Sequence, residues 1–385
     1  MDRRSLLLHA TATASVTPHL NLIGAGVASS AYLAGASSAH AATTTALIPR
    51  AVIAGGDLSI SRVIKGCWQL SGGHRGDSDT DHTSGSVAIN DFQDFYRAGI
   101  TSWDCADHYG PAEELIGRYL KDHPSEAQNV QVLTKLCVFS GAEMSTLNKG
   151  YISRAVDLSR SRLGVPSIDV MQFYWGDYNQ PKYTDAMLYL AETQAEGRVK
   201  HLGVTNFDVP RMQRIVDKGV SLSTNQLSYS LLDTRPENGC SDFCQANGIN
   251  MICYGVLAGG FLSEKYLGVP LNQVKIDTSS KGKYGRVIVE RGGWSWFQGL
   301  LKVLDQVAKK HQSSISNVAS KWVLDKPGVA GIILGARNAD HVKDHVALFE
   351  LALDMEDRGK IHEILSTGNR PRGDSYSWER GVGPF

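Results

Sequence analysis

The sequence lacks any surplus of charge: 39 Lys and Arg face 39 Asp and Glu over 385 residues. Charge-driven binding to nucleic acid or to an anionic membrane is therefore excluded. It also lacks an apolar run of the ~18 residues needed to span a bilayer. Cysteine is sparse, with six in the whole chain, too few for a disulfide scaffold at this length, so reduced thiols are expected. A dinucleotide fingerprint is missing too. Gly24-Ala25-Gly26 has no third glycine and no strand–turn–helix around it, so it is set aside. What remains is ordinary globular composition, 42% apolar and 20% charged, long enough for one large α/β barrel or two smaller domains.

The first 50 residues are of another kind. Ala, Ser and Thr supply 24 of them, no acid occurs between Asp2 and Asp57, and the first lysine is Lys65. Such a stretch reads as a targeting peptide or a disordered extension over residues 1–50. A plastid transit peptide fits the composition. The alternatives are export through a twin-arginine or secretory signal, with Arg3-Arg4 ahead of Leu6-Leu7 and a cleavage-like Ala39-His40-Ala41, or an extension with no address in a cytoplasmic protein.

From residue 51 a regular pattern begins. Val52-Ile53 and Leu58–Ile60 flank Gly55-Gly56-Asp57, a hairpin signal. Eight short apolar runs follow, each ahead of a helical stretch: 63–68, 100–105, 130–136, 169–175, 199–204, 224–227, 249–254 and 329–334. Helix ends are legible at Pro111 before Glu113 and Glu114, and at Asp208 before Pro210. Ile315, Val318, Ala319, Trp322 and Val323 form one helical stripe. Eight βα units predict a (β/α)8 TIM barrel over residues 51–365, with an N-terminal hairpin plug and a C-terminal tail at 366–385. An open doubly wound sheet is the runner-up, disfavoured by the missing glycine fingerprint. The polar, Gly- and Lys-rich stretch from Ser263 to about Gly293 predicts a long loop after strand seven.

Barrel chemistry gathers at the C-terminal strand ends. Asp104, Tyr109, Lys135 and Tyr174 fall there. One reading is a structural Asp104–Lys135 ion pair. The other is a proton-donor system, in which Lys135 draws the Tyr109 phenol down from its ordinary pKa of about 10 and Asp104 holds the lysine. Trp68, Trp175, Trp294, Trp296 and Phe297, with the tail, are candidates for the wall of an apolar pocket.

Five collinear segments carry a resemblance. Asp104-Cys105-Ala106-Asp107-His108-Tyr109-Gly110 resembles the aldo-keto reductase signature Asp-x-Ala-x-x-Tyr-Gly, and Lys135 falls where that family carries its lysine. Gly203-Val204-Thr205-Asn206-Phe207 and Asn225-Gln226-Leu227-Ser228-Tyr229 are similar to further family segments. The segment from Tyr254 to Gly260 resembles that of the bacterial-type and potassium-channel β-subunit-like branch. The resemblance implies NADPH as cofactor and an aldehyde or ketone as substrate, with Asp104, Tyr109, Lys135 and Tyr174 catalytic. It implies a cofactor site of Cys67 and Trp68; Thr205, Asn206 and Gln226 at the nicotinamide carboxamide; Tyr254 under the ring; Leu257, Gly259 and Lys265 along the pyrophosphate; Gly335 and Arg337 at the 2′-phosphate; and His341, Asp344 and His345 near the adenine.

No metal is expected. His341 and His345 have helical ligand spacing, but no Glu stands beside His341 and no third ligand is evident. One departure stands out: Tyr174 occupies the place of the family's usual histidine. Two readings follow: an NADPH-dependent reductase, or an NADPH-binding redox-sensing or regulatory protein with weak turnover. A cofactor-free structural barrel is the third. His108, beside Tyr109, reads either as an exposed loop residue or as an imidazole that partly compensates.

Overall fold

The computed structural model describes residues 48–71, 85–335 and 338–374. Two strands, β1 (Arg50–Ile53) and β2 (Leu58–Ser61), pair antiparallel with Ile53 opposite Leu58. Eight parallel strands follow: β3 (Val63–Gly66), β4 (Ser102–Asp104), β5 (Gln131–Val138), β6 (Ile168–Trp175), β7 (Val199–Thr205), β8 (Thr224–Ser228), β9 (Asn250–Tyr254) and β10 (Val329–Gly335). They close as a barrel in chain order, with β10 beside β3. The predicted runs and the observed strands coincide to within a few residues, and the hairpin is present.

Strand alternation divides the apolar residues into two cores. Ile64, Leu133, Val170, Ile252, Ala330 and Ile333 fill the barrel interior and are covered by Ile53, Leu58 and Ile60 of the hairpin. Burying each of these hairpin side chains is worth about 1.5–3 kcal/mol, so the plug closes the strand-start end. The complementary faces pack under the helices, among them Gly85–Arg97, Ala112–Asp122, Lys149–Leu163 and Ile315–Leu324. The stripe of Ile315, Val318, Ala319, Trp322 and Val323 is buried. Asp208 caps the helix Val209–Asp217 by accepting from the Arg211 N–H at 2.9 Å.

Two expectations are corrected. The stretch after the seventh barrel strand is not a plain loop: it holds a helix, Ser279–Arg291, capped by Thr278. Its buried Tyr284, Val287, Ile288 and Arg291 follow a helical stripe that the surrounding Gly and Lys residues obscure. Of the predicted aromatic wall only Trp68 lines the cavity at the strand ends. Trp175 is fully buried with its indole N–H donating to the Asp177 and Gln180 carbonyls, Phe297 is buried in the helix Gly293–Lys310, and Trp294 and Trp296 donate to Val269 and Ile364.

All six cysteines are buried free thiols. Cys240 and Cys244 face each other at 4.0 Å on one short helix. The described part of the tail is tied to the body, with Arg235 donating to the Asp374 carbonyl and Asn238 to that of Gly373. Among the described residues no helix is long and apolar enough to cross a membrane.

Candidate active site

A cavity of ≈ 450 Å³ opens at the C-terminal ends of the strands. A larger cleft of ≈ 1040 Å³ lies at the other end, by the hairpin, lined by Arg50, Glu114, Arg118, Lys121 and Lys200. It holds none of the predicted site residues, whereas the smaller cavity brings most of them together.

Asp104 is the last residue of β4, and the chain then makes a tight turn toward the helix Ala112–Asp122. Backbone N–H groups of Cys105 and Asp107 donate to Leu133 and Lys135 of the neighbouring strand, and the Tyr109 N–H closes back on Ala106 at 3.1 Å. Gly110 sits at φ +49°, and a Cβ there would come within 2.4 Å of the Ser71 carbonyl oxygen. Only glycine fits that approach, which fixes the direction of the Tyr109 side chain.

Lys135 lies within β5, three residues before its end. Register places it beside Gln172 of β6, and Cys137 beside Tyr174. The Lys135 ammonium donates to Asp104 Oδ2 at 2.7 Å and to the Cys105 carbonyl at 2.7 Å, with both charged side chains buried. The other oxygen, Asp104 Oδ1, accepts from Gln226 at 2.6 Å and from Gln172 at 3.2 Å. Gln226 also donates to Gln172 Oε1 at 3.1 Å. The carboxylate is thus held on both oxygens, as a buried charge requires. The Lys135 Nζ stands 4.9 Å from the centre of the Tyr109 ring.

Burial alone would lower the Lys135 pKa, but Asp104 and Tyr109 together outweigh it and hold the ammonium above the ordinary lysine value. Tyr109 behaves otherwise than expected. Its burial pushes the phenol above its usual range, and Lys135 opposes this without reversing it. Desolvation of the phenolate outweighs the attraction of an ammonium already neutralised by Asp104. Tyr109 is therefore a fully protonated phenol at neutral pH.

Thr205 ends β7 and Asn206 follows it. The Asn206 N–H and the Thr205 hydroxyl both donate to the Gln226 carbonyl, at 2.7 and 3.1 Å. Asn206 takes a left-handed conformation, φ 55°, and its side-chain oxygen accepts from the Tyr254 hydroxyl at 2.9 Å. Trp68 meets Tyr109 edge-on at 5.0 Å, and the Tyr174 ring lies 5.2 Å from Phe139. Trp68, Tyr174, Thr205, Asn206, Gln226, Tyr254, Gly259 and Gly335 all line the cavity with Asp104, Tyr109 and Lys135.

Other predicted residues stand apart from it. Cys67 is fully buried, its thiol pushed up to about 11 by burial. Leu257 and Lys265 do not line the cavity, and the Lys265 ammonium rests 5.7 Å from the Tyr266 ring. His341 and Asp344 pair with each other on the exposed surface at 3.0 Å. His345 is buried against Phe95. Arg337 lies outside the described residues.

Sequence reasoning missed Gln172, Gln69 and the end of the helix Ser279–Arg291, which brings Ser279, Ser280, Lys283 and Tyr284 to the cavity. Gln172 was legible, because strand alternation puts it on the same side as Tyr174. The Lys283 ammonium lies 5.0 Å from the Tyr254 ring and 5.1 Å from that of Tyr284. A Cβ on Gly255 would meet the Tyr284 hydroxyl at 2.0 Å, so the helix packs directly on that backbone.

The residues present suit a nicotinamide dinucleotide. The buried Gln69 Oε1 accepts no hydrogen bond from any described residue, leaving an acceptor on the cavity wall for a ribose-like hydroxyl. Adjacent amide side chains, an aromatic face at Tyr254 and a lysine at 283 supply the rest.

Comparison with known proteins gives one consistent answer. The sequence profile described as "Aldo/keto reductase family" matches residues 62–366. The chain is 27% identical to the NADH-specific methylglyoxal reductase of Escherichia coli (strain K12) over 342 residues, 82% of this chain and 97% of that protein. The structure of a glycerol dehydrogenase from Gluconobacter oxydans superposes with TM-score 0.69 at 23% identity, covering 84% of this chain and 97% of that one. An aldo/keto reductase from Klebsiella pneumoniae, solved with NADP and acetate, superposes with TM-score 0.62 at 18% identity, covering 84% and 97%. At these identities the two structures speak for the fold.

Proposed function

Because the chain belongs to the aldo/keto reductase family of oxidoreductases, we propose that it reduces an aldehyde or ketone to an alcohol with NADPH, and that Tyr109 gives the proton. The observation that carries this reading is the Tyr109 phenol beside the buried Lys135–Asp104 pair on the wall of one cavity.

The nicotinamide dinucleotide, when bound, supplies hydride to the carbonyl carbon. Tyr109 donates a hydrogen bond and then its proton to the carbonyl oxygen. The Lys135 ammonium lowers the cost of the negative charge left on the phenol oxygen. Asp104 keeps Lys135 charged and aimed, and Gln172 and Gln226, bonded to each other, both donate to Asp104. Tyr174 lines the cavity, a phenol where the resemblance implies an imidazole. Asn206 and Gln226 hold the carboxamide, with Thr205 beside them, and Tyr254 supports the ring. Lys283, Ser279 and Ser280 face the diphosphate. Arg337 reads the 2′-phosphate, which favours NADPH over NADH. The NADH-specific relative makes that last choice the sharpest part of the proposal.

Replacing Tyr109 by Phe tests it. Proton donation of this kind is worth about 10²–10⁴-fold, so NADPH oxidation with methylglyoxal should fall by that order while NADPH still quenches protein fluorescence. A fully active Tyr109→Phe enzyme removes the mechanism. A second reading, a nucleotide-responsive protein with weak turnover, is favoured by Tyr174 and by the burial-raised Tyr109. A single-turnover measurement of bound NADPH with a reactive aldehyde separates the two. For the leading 50 residues we propose a plastid transit peptide. A fluorescent fusion of that segment tests plastid import against export and cytoplasmic retention.

A further inference from the structure

We propose that Asp107, His108 and Cys137 form a binding site for a thiophilic divalent cation of the zinc class at the mouth of the cavity, where the bound ion obstructs carbonyl access to Tyr109. The obstruction rests on the functional reading above; the metal site itself does not.

One ligand atom from each residue lies within 4.8 Å of the other two. They come from separate elements: Asp107 and His108 from the turn after β4, Cys137 from the end of β5. Thiolate, imidazole and carboxylate together suit zinc, and three protein ligands leave a fourth position for water. That position opens to the cavity, because His108 and Cys137 both line it.

The frame is fixed before any ion arrives. The Asp107 N–H donates to the Lys135 carbonyl at 3.0 Å, and the Cys137 N–H donates to Asp107 Oδ2 at 3.1 Å. Arg162 donates to the Asp107 carbonyl at 3.1 Å. The His108 Nδ1 lies 3.3 Å from Asp107 Oδ1. The nearest buried cation, Lys135, is already neutralised by Asp104. On binding, the Cys137 thiol passes its proton to bulk water, and thiolate plus carboxylate balance a dication. The His108 ring stands 4.8 Å from that of Tyr109 and 4.9 Å from Phe139, so an ion on it sits beside the phenol.

A second group, His311, Asp354 and Asp357, has similar spacing. There the Lys310 ammonium already holds both carboxylates, at 2.6 and 2.8 Å, so it serves as the internal control.

The test is a titration of the full chain with CoCl2, following thiolate-to-cobalt charge transfer in the near ultraviolet, and a parallel ZnCl2 titration of methylglyoxal reduction. One equivalent of cobalt should give the band. Cys137→Ser should abolish it, and His108→Ala should weaken binding by on the order of 100-fold, since even the outer partners of metal ligands are worth about 10–100-fold. His311→Ala should change nothing. Zinc should inhibit wild type and lose its effect in Cys137→Ser, each protein being compared with its own metal-free rate. Absence of the band, or a band that survives Cys137→Ser, overturns the site. A band without zinc inhibition overturns the obstruction. The cobalt reading needs no substrate, so it decides the site even if no carbonyl is reduced.

Discussion

Replacing Asp104 by Asn leaves the Lys135 ammonium buried without its counter-charge. In the native protein that ammonium has two partners, Asp104 Oδ2 and the Cys105 carbonyl, each at 2.7 Å, and its side chain is 4% exposed. Breaking one half of such a pair costs about 3–5 kcal/mol. The single amide oxygen of the replacement can accept from Lys135 or from Gln226 but not from both, and its NH2 faces a donor either way, so the full range of about 3–5 kcal/mol is expected, roughly a hundredfold or more in the folding equilibrium. Without Asp104, burial also becomes the main influence on Lys135 and draws its pKa down. Urea unfolding at neutral pH reads the loss directly. The decisive comparison is Asp104→Asn with Lys135→Met in the same chain: removing the orphaned cation should restore most of the lost stability while turnover stays absent. If Asp104→Asn is within about 0.5 kcal/mol of wild type, the pair is not the costly buried charge described here. A double variant no more stable than the single refutes the reasoning equally.

Gln172→Leu removes one donor to Asp104 Oδ1 and one acceptor of the Gln226 amide at a fully buried position, while the direct Gln226–Asp104 bond at 2.6 Å remains. Losing these two buried bonds should cost about 1–3 kcal/mol. It should also weaken cofactor binding, read by fluorescence titration, more than it weakens kcat. Burial lowers His345 to about 4 from its ordinary 6.5. The neutral imidazole is favoured by the fold, so this contribution is fully present above pH 6.5 and is lost as pH falls from 6.5 through 4. The loss is about 3 kcal/mol at most. His345→Leu should flatten that part of the stability–pH curve, measured as the difference from wild type. Gly255→Ala meets the Tyr284 hydroxyl and must adopt φ +69°. Thermal unfolding should show about 1–3 kcal/mol lost, with the helix Ser279–Arg291 displaced from the cavity.

Most of the barrel could be read from the chain because parallel strands buried on both faces appear as short β-branched runs, and Val132-Leu133 or Val170-Met171 needed no partner to be recognised. Asp104, Lys135 and Tyr109 were legible for a similar reason: charge at the end of an apolar strand needs a partner. The state of Tyr109 was not, because spacing reveals which groups meet but not how dry the meeting place is, and there dryness outweighs attraction. Lys283 escaped for another reason. The apolar positions of its helix are separated by Gly282, Lys283 and Gly285, which look like loop composition until the burial of Tyr284, Val287 and Ile288 is seen. The adenine-side residues were carried by resemblance alone, and the burial of His345 against Phe95 was beyond what sequence could give.

The hairpin sets a limit on trimming. Ile48 is already buried, and its N–H reaches the Ala98 carbonyl; Ile53, Leu58 and Ile60 then seal the cylinder from below. A cut downstream of Ile48 would unstopper the interior and let water reach Ile64, Leu133 and Val170. Any shortening of the chain is thus bounded by packing at the hairpin, whatever enzyme performs it.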